Sequence, residues 1–480
     1  MNRRKFLAST LSLVPASLAQ RAVSSSSDSK REVEVRVELS RAIATIPPDF
    51  TGLGYEISSV ARPKLLSAEN AVYVQLVRTL GRRGVIRVGG NTADYASYSA
   101  NGSPLSSPET KAGSIVNDAV LRDLGEFLRA TGWKLIWALN LGSRDQANAI
   151  EEAKAVSDAA AEHLLAFEIG NEPDLFVRRH RPANYSYPDY LAEFRNLRDA
   201  LRKAIPDVPV AAPDVAREID WVTKFAEDEA KRLKLLTAHY YRGGAKDPKS
   251  TIDELLHDDP KLMPMLRQLR AASESCAVPY RIFETNSFFG GGKPGVSDTF
   301  ASALWVLDFM FTLASAGCAG VNMETGVNQL GFISPYSPIA DDERGHYSAA
   351  PEYYGMLAFK PSVGGRLVEC AIDASGKNIK AYAARTEDRL VLTLINKESA
   401  YDPDVVIAVD SSFPVRRASL ARLRAPSLES KSGVTLGGAA VTGGGSWKPT
   451  QLESLVPRHG KLHVHLPKAS VAITEITAVH

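Results

Sequence analysis

The 480-residue chain is poor in several features that would narrow its chemistry at once. Its three cysteines, Cys276, Cys318 and Cys370, are odd in number and far apart, which excludes a disulfide framework and a cysteine-rich zinc site. The nine histidines spell no HExxH, and His463 and His465 alternate on one face of a strand-like segment, a solvated pattern. No metal is expected, and nothing motivates a nucleotide, flavin or haem site, so no cofactor is expected either. Excess charge of one sign is also missing: Lys+Arg 57 against Asp+Glu 55 leaves +2. So even a balance gives no field to hold a polyanion, and nucleic acid is not an expected partner. An acidic ligand has to be recognised locally, in a pocket.

Long apolar runs are absent too. The mildly apolar stretch Phe6 to Ala19 reaches about 21 Å at ~1.5 Å per residue, short of a hydrocarbon core of about 30 Å, so no membrane span is expected. It follows the basic head Asn2-Arg3-Arg4-Lys5 and offers small residues at Ser17-Leu18-Ala19, the grammar of an export signal, assigned to residues 1–24. Arg3-Arg4-Lys5-Phe6-Leu7 also resembles the twin-arginine address. The expected location is the bacterial periplasm or the extracellular space.

What is present is a pattern. Val33 to Leu39 alternates apolar with mostly charged residues, a strand with one wet face. Eight short apolar runs then alternate with helix-period segments: Phe50–Ile57, Gly84–Gly89, Lys134–Asn140, Leu164–Ile169, Val208–Ala212, Leu235–Tyr240, Tyr280–Glu284 and Ala319–Met323. Eight buried strands alternating with helices predict a (β/α)8 TIM barrel over 48–360, with an open doubly wound sheet as the runner-up. Beyond Lys360 the helical period gives way to short strands between Gly, Pro and Ser turns, predicting an antiparallel β-sandwich over 361–480. The strand at 30–47 has no partner in a barrel and is expected to pair in the sandwich.

Two of the barrel runs end in a carboxylate: Glu172 after the fourth run, within Asn171-Glu172-Pro173, and Glu284 at the end of the seventh. A charge terminating an apolar strand costs desolvation unless it has a partner or a task. For either alone, a structural ion pair explains it as well as catalysis does. Together they face one another across the mouth, an arrangement suited to acetal cleavage, in which one group protonates the leaving oxygen and the other meets the oxocarbenium-like carbon.

The words around these residues are Gly54-Tyr55-Glu56, Ile86-Arg87-Val88-Gly89-Gly90-Asn91-Thr92-Ala93-Asp94-Tyr95, Glu168 to Pro173, His239-Tyr240-Tyr241, and Gly290 to Phe300. In order and spacing they resemble glycoside hydrolase family 79, which holds β-glucuronidases and heparanases. The resemblance implies retaining double displacement on β-linked glucuronic acid, with exo-action favoured over an endo-acting heparanase. Glu284 corresponds to the nucleophile, Glu172 to the acid/base and Asn171 to the contact with the sugar 2-hydroxyl. Asp94 matches a sugar-contacting aspartate, or else caps a turn. Tyr240 is a substrate-contact candidate; His239, Tyr241 and Arg87 are candidate supports of the nucleophile, each with a purely structural alternative. The glycines at 290–292 are either a plain loop or a backbone cradle, in which Gly291 and Gly292 would hold the uronate carboxylate. Tyr336 is the best match to an assisting tyrosine, with Tyr347 as the alternative. Phe289 stands where some relatives have a polar aromatic. The expected partners are glucuronides or glucuronic-acid-containing glycans, met by a monomer. The rivals are a retaining hydrolase of neutral β-glycosides and a catalytically silent glycan-binding protein.

Overall fold

The computed structural model describes residues 32–103, 113–329, 332–386, 389–411, 413 and 415–478. The expected export signal at 1–24 lies outside them. All eight apolar runs become strands: Thr51–Glu56, Val85–Gly89, Lys134–Leu139, Leu164–Ile169, Val210–Val215, Leu235–Gly244, Tyr280–Phe289 and Val321–Glu324. They close into one barrel, every neighbouring pair parallel. Helices cover the outside, so both strand faces are buried and the runs are apolar almost throughout.

Period-2 alternation sorts each run into an inner and an outer set. Val85, Ile136, Ala166, Ala211, Leu235 and Phe283 pack together as an apolar layer within the barrel. Two residues beyond Val85 and Ala166 come Arg87 and Glu168, both fully buried, so an ionic layer lies directly over an apolar one. This step from hydrocarbon to charge, at the C-terminal ends of the strands, is where barrel chemistry collects.

The C-terminal domain is a continuous sheet folded around its own core. Its main strands are Arg366–Asp373, Ile379–Arg385, Arg389–Asn396, Asp404–Val409, Val415–Arg424, Lys461–His465 and Ser470–Ala478. The strand Glu32–Thr45 joins this sheet, and Val33, Val35, Val37 and Leu39 enter its core. One feature departs from an all-antiparallel sandwich: Glu32–Thr45 is antiparallel to Arg366–Asp373 but parallel to Asp404–Val409. A strand arriving from the other end of the chain has no hairpin to dictate its direction. At the seam with the barrel, Asp308 on the helix Phe300–Ser315 accepts from Tyr382 Oη at 2.6 Å and pairs with Lys397, while Phe311 stacks on Tyr382. Among the described residues, no helix is long and apolar enough to cross a membrane.

One outer-layer group makes stability depend on pH. Glu152, on the helix Gln146–Ala160, is 1% exposed and accepts from the Trp137 indole N–H at 3.0 Å. Burial pushes its carboxyl up to about 7. A folded-state value above the unfolded one favours the protonated form. Stability is therefore fully present below the ordinary carboxyl range and falls as pH rises through about 7, by ~3 kcal/mol for this shift. Glu152→Gln, which can still accept from Trp137, should melt higher than wild type at pH 8 and differ little at pH 4.5. Thermal denaturation at the two pH values checks this.

Candidate active site

Arg87, completely buried, organises the mouth. Its Nε and Nη2 donate to Glu168 at 2.9 and 2.7 Å, Nη1 to Glu284 at 2.7 Å, and Nη2 also to Asn171 Oδ1 at 2.7 Å and Asp214 at 3.1 Å. One guanidinium thus ties together the second, fourth, fifth and seventh strands. Across from it, His239 on the sixth strand places Nε2 2.7 Å from Asp214 and Nδ1 3.1 Å from Glu172 and 3.9 Å from Glu284. Tyr241, two residues on, donates its hydroxyl to Glu284 at 2.9 Å.

These contacts set the charges. Burial alone would raise the Glu284 carboxyl, but the His239 and Arg87 charges and the Tyr241 hydroxyl hold it below its ordinary value, so it is ionised. Burial would strip the proton from His239, yet Asp214 and Glu284 keep its pKa well above the ordinary imidazole range. Burial pushes Glu168 well above the usual carboxyl range, against the pull of Arg87 and with Asp214 adding to the rise; Asp214 itself is held at about 2. Two cations, Arg87 and His239, therefore face the carboxylates Glu284 and Asp214, and Arg87 also holds both oxygens of Glu168.

Glu172 differs from Glu284. It sits at φ 52° immediately after the fourth strand, its N–H donates to Asp214 O at 3.1 Å, and its side chain is 15% exposed against 7% for Glu284. The left-handed backbone turns its carboxyl off the strand, toward His239 and the opening. One oxygen of Glu172, one of Glu284 and a ring nitrogen of His239 lie within 4.8 Å of one another. That set resembles a metal triad in composition, but a protonated imidazole bonded at both nitrogens has no lone pair to give. Carboxylate pairs about 5 to 5.5 Å apart attack and protonate, whereas pairs ~6.5 to 9.5 Å apart leave room for a water between, and the close approach of the Glu172 and Glu284 oxygens favours the first arrangement.

The remaining candidates divide. Asn171 is buried on Arg87 and lines the same cleft as Glu172, Asp94 and Asn91. Asp94 accepts three backbone N–H groups, from Leu141 and Gly142 on Oδ1 and Asn171 on Oδ2, each at 3.1 Å, so it fixes the loops that carry Asn171. Burial nonetheless pushes it up to about 7. Tyr336 stacks on Tyr241 with ring centres 6.4 Å apart, which puts it in the mouth. Tyr347 packs edge-on against Tyr73 at 4.9 Å, on the helix Ala71–Leu80.

Two expectations need correction. Tyr240 does not face the site. It alternates with His239 and Tyr241, so its ring points outward, stacks on Phe309 at 5.2 Å and donates to Asp259 at 2.8 Å. The Gly292 amide does not belong to an anion cradle, because it donates to Phe288 O at 3.1 Å and closes the turn. The Gly291 carbonyl accepts from Tyr336 N–H at 3.2 Å. What these glycines supply is close approach: a Cβ on Gly292 would stand 2.6 Å from Tyr336 N, and one on Gly291 2.3 Å from Phe332 Cζ. Without side chains the loop after the seventh strand lies flat under the loop after the eighth, and Tyr336 is delivered over the site. Gly290 to Gly295 also spells G-x-G-x-x-G after a strand, yet the next helix begins only at Phe300, so no helix N-terminus meets those glycines.

Four carboxyl groups were not anticipated as site members: Glu56, Glu168, Asp214 and Glu324. Each closes or interrupts an apolar barrel run, the same signal that singled out Glu172 and Glu284. Glu56 accepts from Thr92 N–H, Thr92 Oγ1 and Asn91 N–H, at 2.8, 2.6 and 3.2 Å.

The chain is similar to several known proteins. Residues 381–473 match the model of the glycosyl hydrolase family 79 C-terminal beta domain. A β-glucuronidase of Aspergillus niger is 27% identical over 383 residues, 72% of this chain and 68% of that protein. A β-glucuronidase of Neurospora crassa is 28% identical over 351 residues, 65% of this chain and 60% of that protein. Among solved structures, a 4-O-α-L-rhamnosyl-β-D-glucuronidase from Fusarium oxysporum 12S, in complex with Rha-GlcA, superposes with a TM-score of 0.76 at 18% identity. That alignment covers 92% of this chain and 99% of the other, and at such identity it speaks for the fold.

Proposed function

We propose, from the premise that this chain belongs to glycoside hydrolase family 79, that it cleaves β-linked glucuronic acid with retention of anomeric configuration. The observation that carries the reading is the Glu172 and Glu284 pair within 4.8 Å, one ionised and buried, the other reaching the opening. Glu284 attacks the anomeric carbon as a carboxylate. Glu172 donates its proton to the departing aglycone oxygen, which leaves as an alcohol. Glu172, now ionised, takes a proton from water, whose oxygen attacks the glycosyl carbon and frees Glu284. His239, bonded to Glu172 and close to Glu284, stabilises negative charge as it passes from one carboxyl to the other. Asn171, held by Arg87, is placed to meet the sugar 2-hydroxyl, a contact that strengthens in the transition state.

The test is an aryl β-glucuronide followed by proton NMR: the first product should be the β-anomer of glucuronic acid, with mutarotation later. An initial α-anomer would overturn the mechanism. Cleavage of aryl β-glucosides with glucuronides left intact would overturn the substrate. Arg3-Arg4-Lys5-Phe6-Leu7 supports delivery across a membrane, and the mature N-terminus from bacterial periplasm, read by mass spectrometry, should fall near Ala19.

A further inference from the structure

Glu324, the last residue of the eighth strand, has no role in the chemistry above and has an unusual environment. It is 2% exposed, and neither carboxyl oxygen has a hydrogen-bond partner, the only carboxyl among the described residues with both oxygens buried and unbonded. Its side chain turns into the mouth over Gly54, where a Cβ would stand 2.7 Å from Glu324 Oε2, so the bare backbone of the first strand makes its berth. An unsatisfied buried carboxyl is costly unless something arrives to bond it.

The charged groups around it decide what can arrive. Glu56 stands two residues beyond Gly54, the ladder partner of Glu324 on the first strand, and Glu284 on the neighbouring seventh strand holds Arg87 at 2.7 Å and His239 Nδ1 at 3.9 Å; the charges of all four act on the Glu324 carboxyl. The Asn286 amide donates to Glu324 O at 3.1 Å and to Tyr336 O at 3.0 Å, which brings the two residues together, and Tyr336 stacks on Tyr241. Arg87 and His239 are already balanced by Glu284 and Asp214. Neither of these two cations is therefore spare for an anionic sugar group entering beside Tyr336, and with Gly292 N–H closed on Phe288 such a group draws on neutral donors. A carboxyl that keeps its proton is one. Burial first, then the neighbouring Glu284 and Glu56 charges, push Glu324 well above the ordinary carboxyl range.

Resting on the glucuronidase reading, we propose that Glu324 is a specificity residue that binds substrate in its un-ionised form, donating its O–H to the uronate carboxylate beside Tyr336. The site then accepts an acid by offering it an acid. Once Glu324 ionises, the donor is lost and a repulsion replaces it, so preference for the charged sugar falls about tenfold for each pH unit above that ionisation.

The experiment compares wild type, Glu324→Leu and Glu324→Gln on an aryl β-glucuronide and on the matching uncharged β-glucuronamide between pH 4 and 8, with melting temperatures recorded. Glu324→Leu should lose about 10- to 100-fold in kcat/KM on the glucuronide, mainly through KM, and about fivefold on the amide. Glu324→Gln, which keeps an N–H donor, should recover at least tenfold of that loss and remove the alkaline fall specific to the glucuronide. Equal losses on both substrates, no loss, or a Gln variant as impaired as Leu would each overturn the assignment. Protection of the folded state by free glucuronate gives the same comparison without turnover. A wild type that binds glucuronate through Glu324 yet leaves glucuronides intact would refute the hydrolase reading and not this one.

Discussion

Glu284→Gln should lower kcat on an aryl β-glucuronide by a factor on the order of 10⁴ to 10⁶, the range seen when a covalent nucleophile is removed. The substitution replaces one carboxylate oxygen by an amide nitrogen of similar size; the remaining carbonyl oxygen still accepts from Arg87, and the new N–H group can donate to the Tyr241 hydroxyl, which turns from donor to acceptor. What changes is charge: the carboxylate that His239 and Arg87 keep ionised becomes neutral and cannot form the glycosyl ester. The loss should therefore sit in kcat, with KM within a few-fold of wild type. In the wild type, a 2-deoxy-2-fluoro glucuronide with a good leaving group should leave its sugar on the peptide containing Glu284, a mass increase absent from the variant. Residual activity within about tenfold of wild type, or a label on any other residue, would assign the nucleophile elsewhere.

How far the site was legible follows from how its signals are encoded. The barrel is written in each strand separately, as a short apolar run between helical segments, and such local signals survive reading one run at a time. Glu172 and Glu284 were visible for the same reason, as carboxylates ending apolar runs. Glu168, Asp214 and Glu324 were less so, because a charge inside or beside a hydrophobic run makes sense only beside its partners. Arg87 answers Glu168, Asp214 and Glu284, residues on three other strands, and no spacing announces that meeting. Tyr240 shows a different limit. Three consecutive polar-capable residues, His239 to Tyr241, read as one motif, but the pleat sends the middle ring to the outside. The Gly292 error was one of hydrogen-bond accounting: a glycine amide is free to hold an anion only if its own turn does not use it, and turn closure on Phe288 is invisible before the loop is folded. The parallel partner of Glu32–Thr45 and the weakly alternating strand Arg366–Asp373 were hidden likewise, since both depend on pairing over long chain separations.

Replacing Glu172 by Ala should produce a pattern that no structural defect imitates, because the residue works in both steps and is needed unequally. Protonating the aglycone matters most when the departing alcohol is a poor leaving group, so glucuronides of alkyl alcohols should lose about 10²- to 10⁴-fold in kcat/KM. For a dinitrophenyl glucuronide, whose phenolate departs unaided, kcat/KM should fall less than about tenfold. Its kcat should still collapse, because water attacking the glycosyl-enzyme has lost the base that activates it. The intermediate should then accumulate, visible as a burst of phenolate equal to the enzyme concentration and as a glucuronyl adduct on Glu284. Azide, which attacks without giving up a proton, should restore turnover and yield β-glucuronyl azide, the configuration required by attack opposite Glu284. The position of Glu172 makes this test sharp: its side chain meets His239 alone among the charged groups of the ionic layer, at 3.1 Å, and reaches the opening, so truncation leaves Arg87 with its partners and admits a small anion beside His239. Equal losses for good and poor leaving groups, or an α-azide product, would mean that Glu172 does not carry the proton.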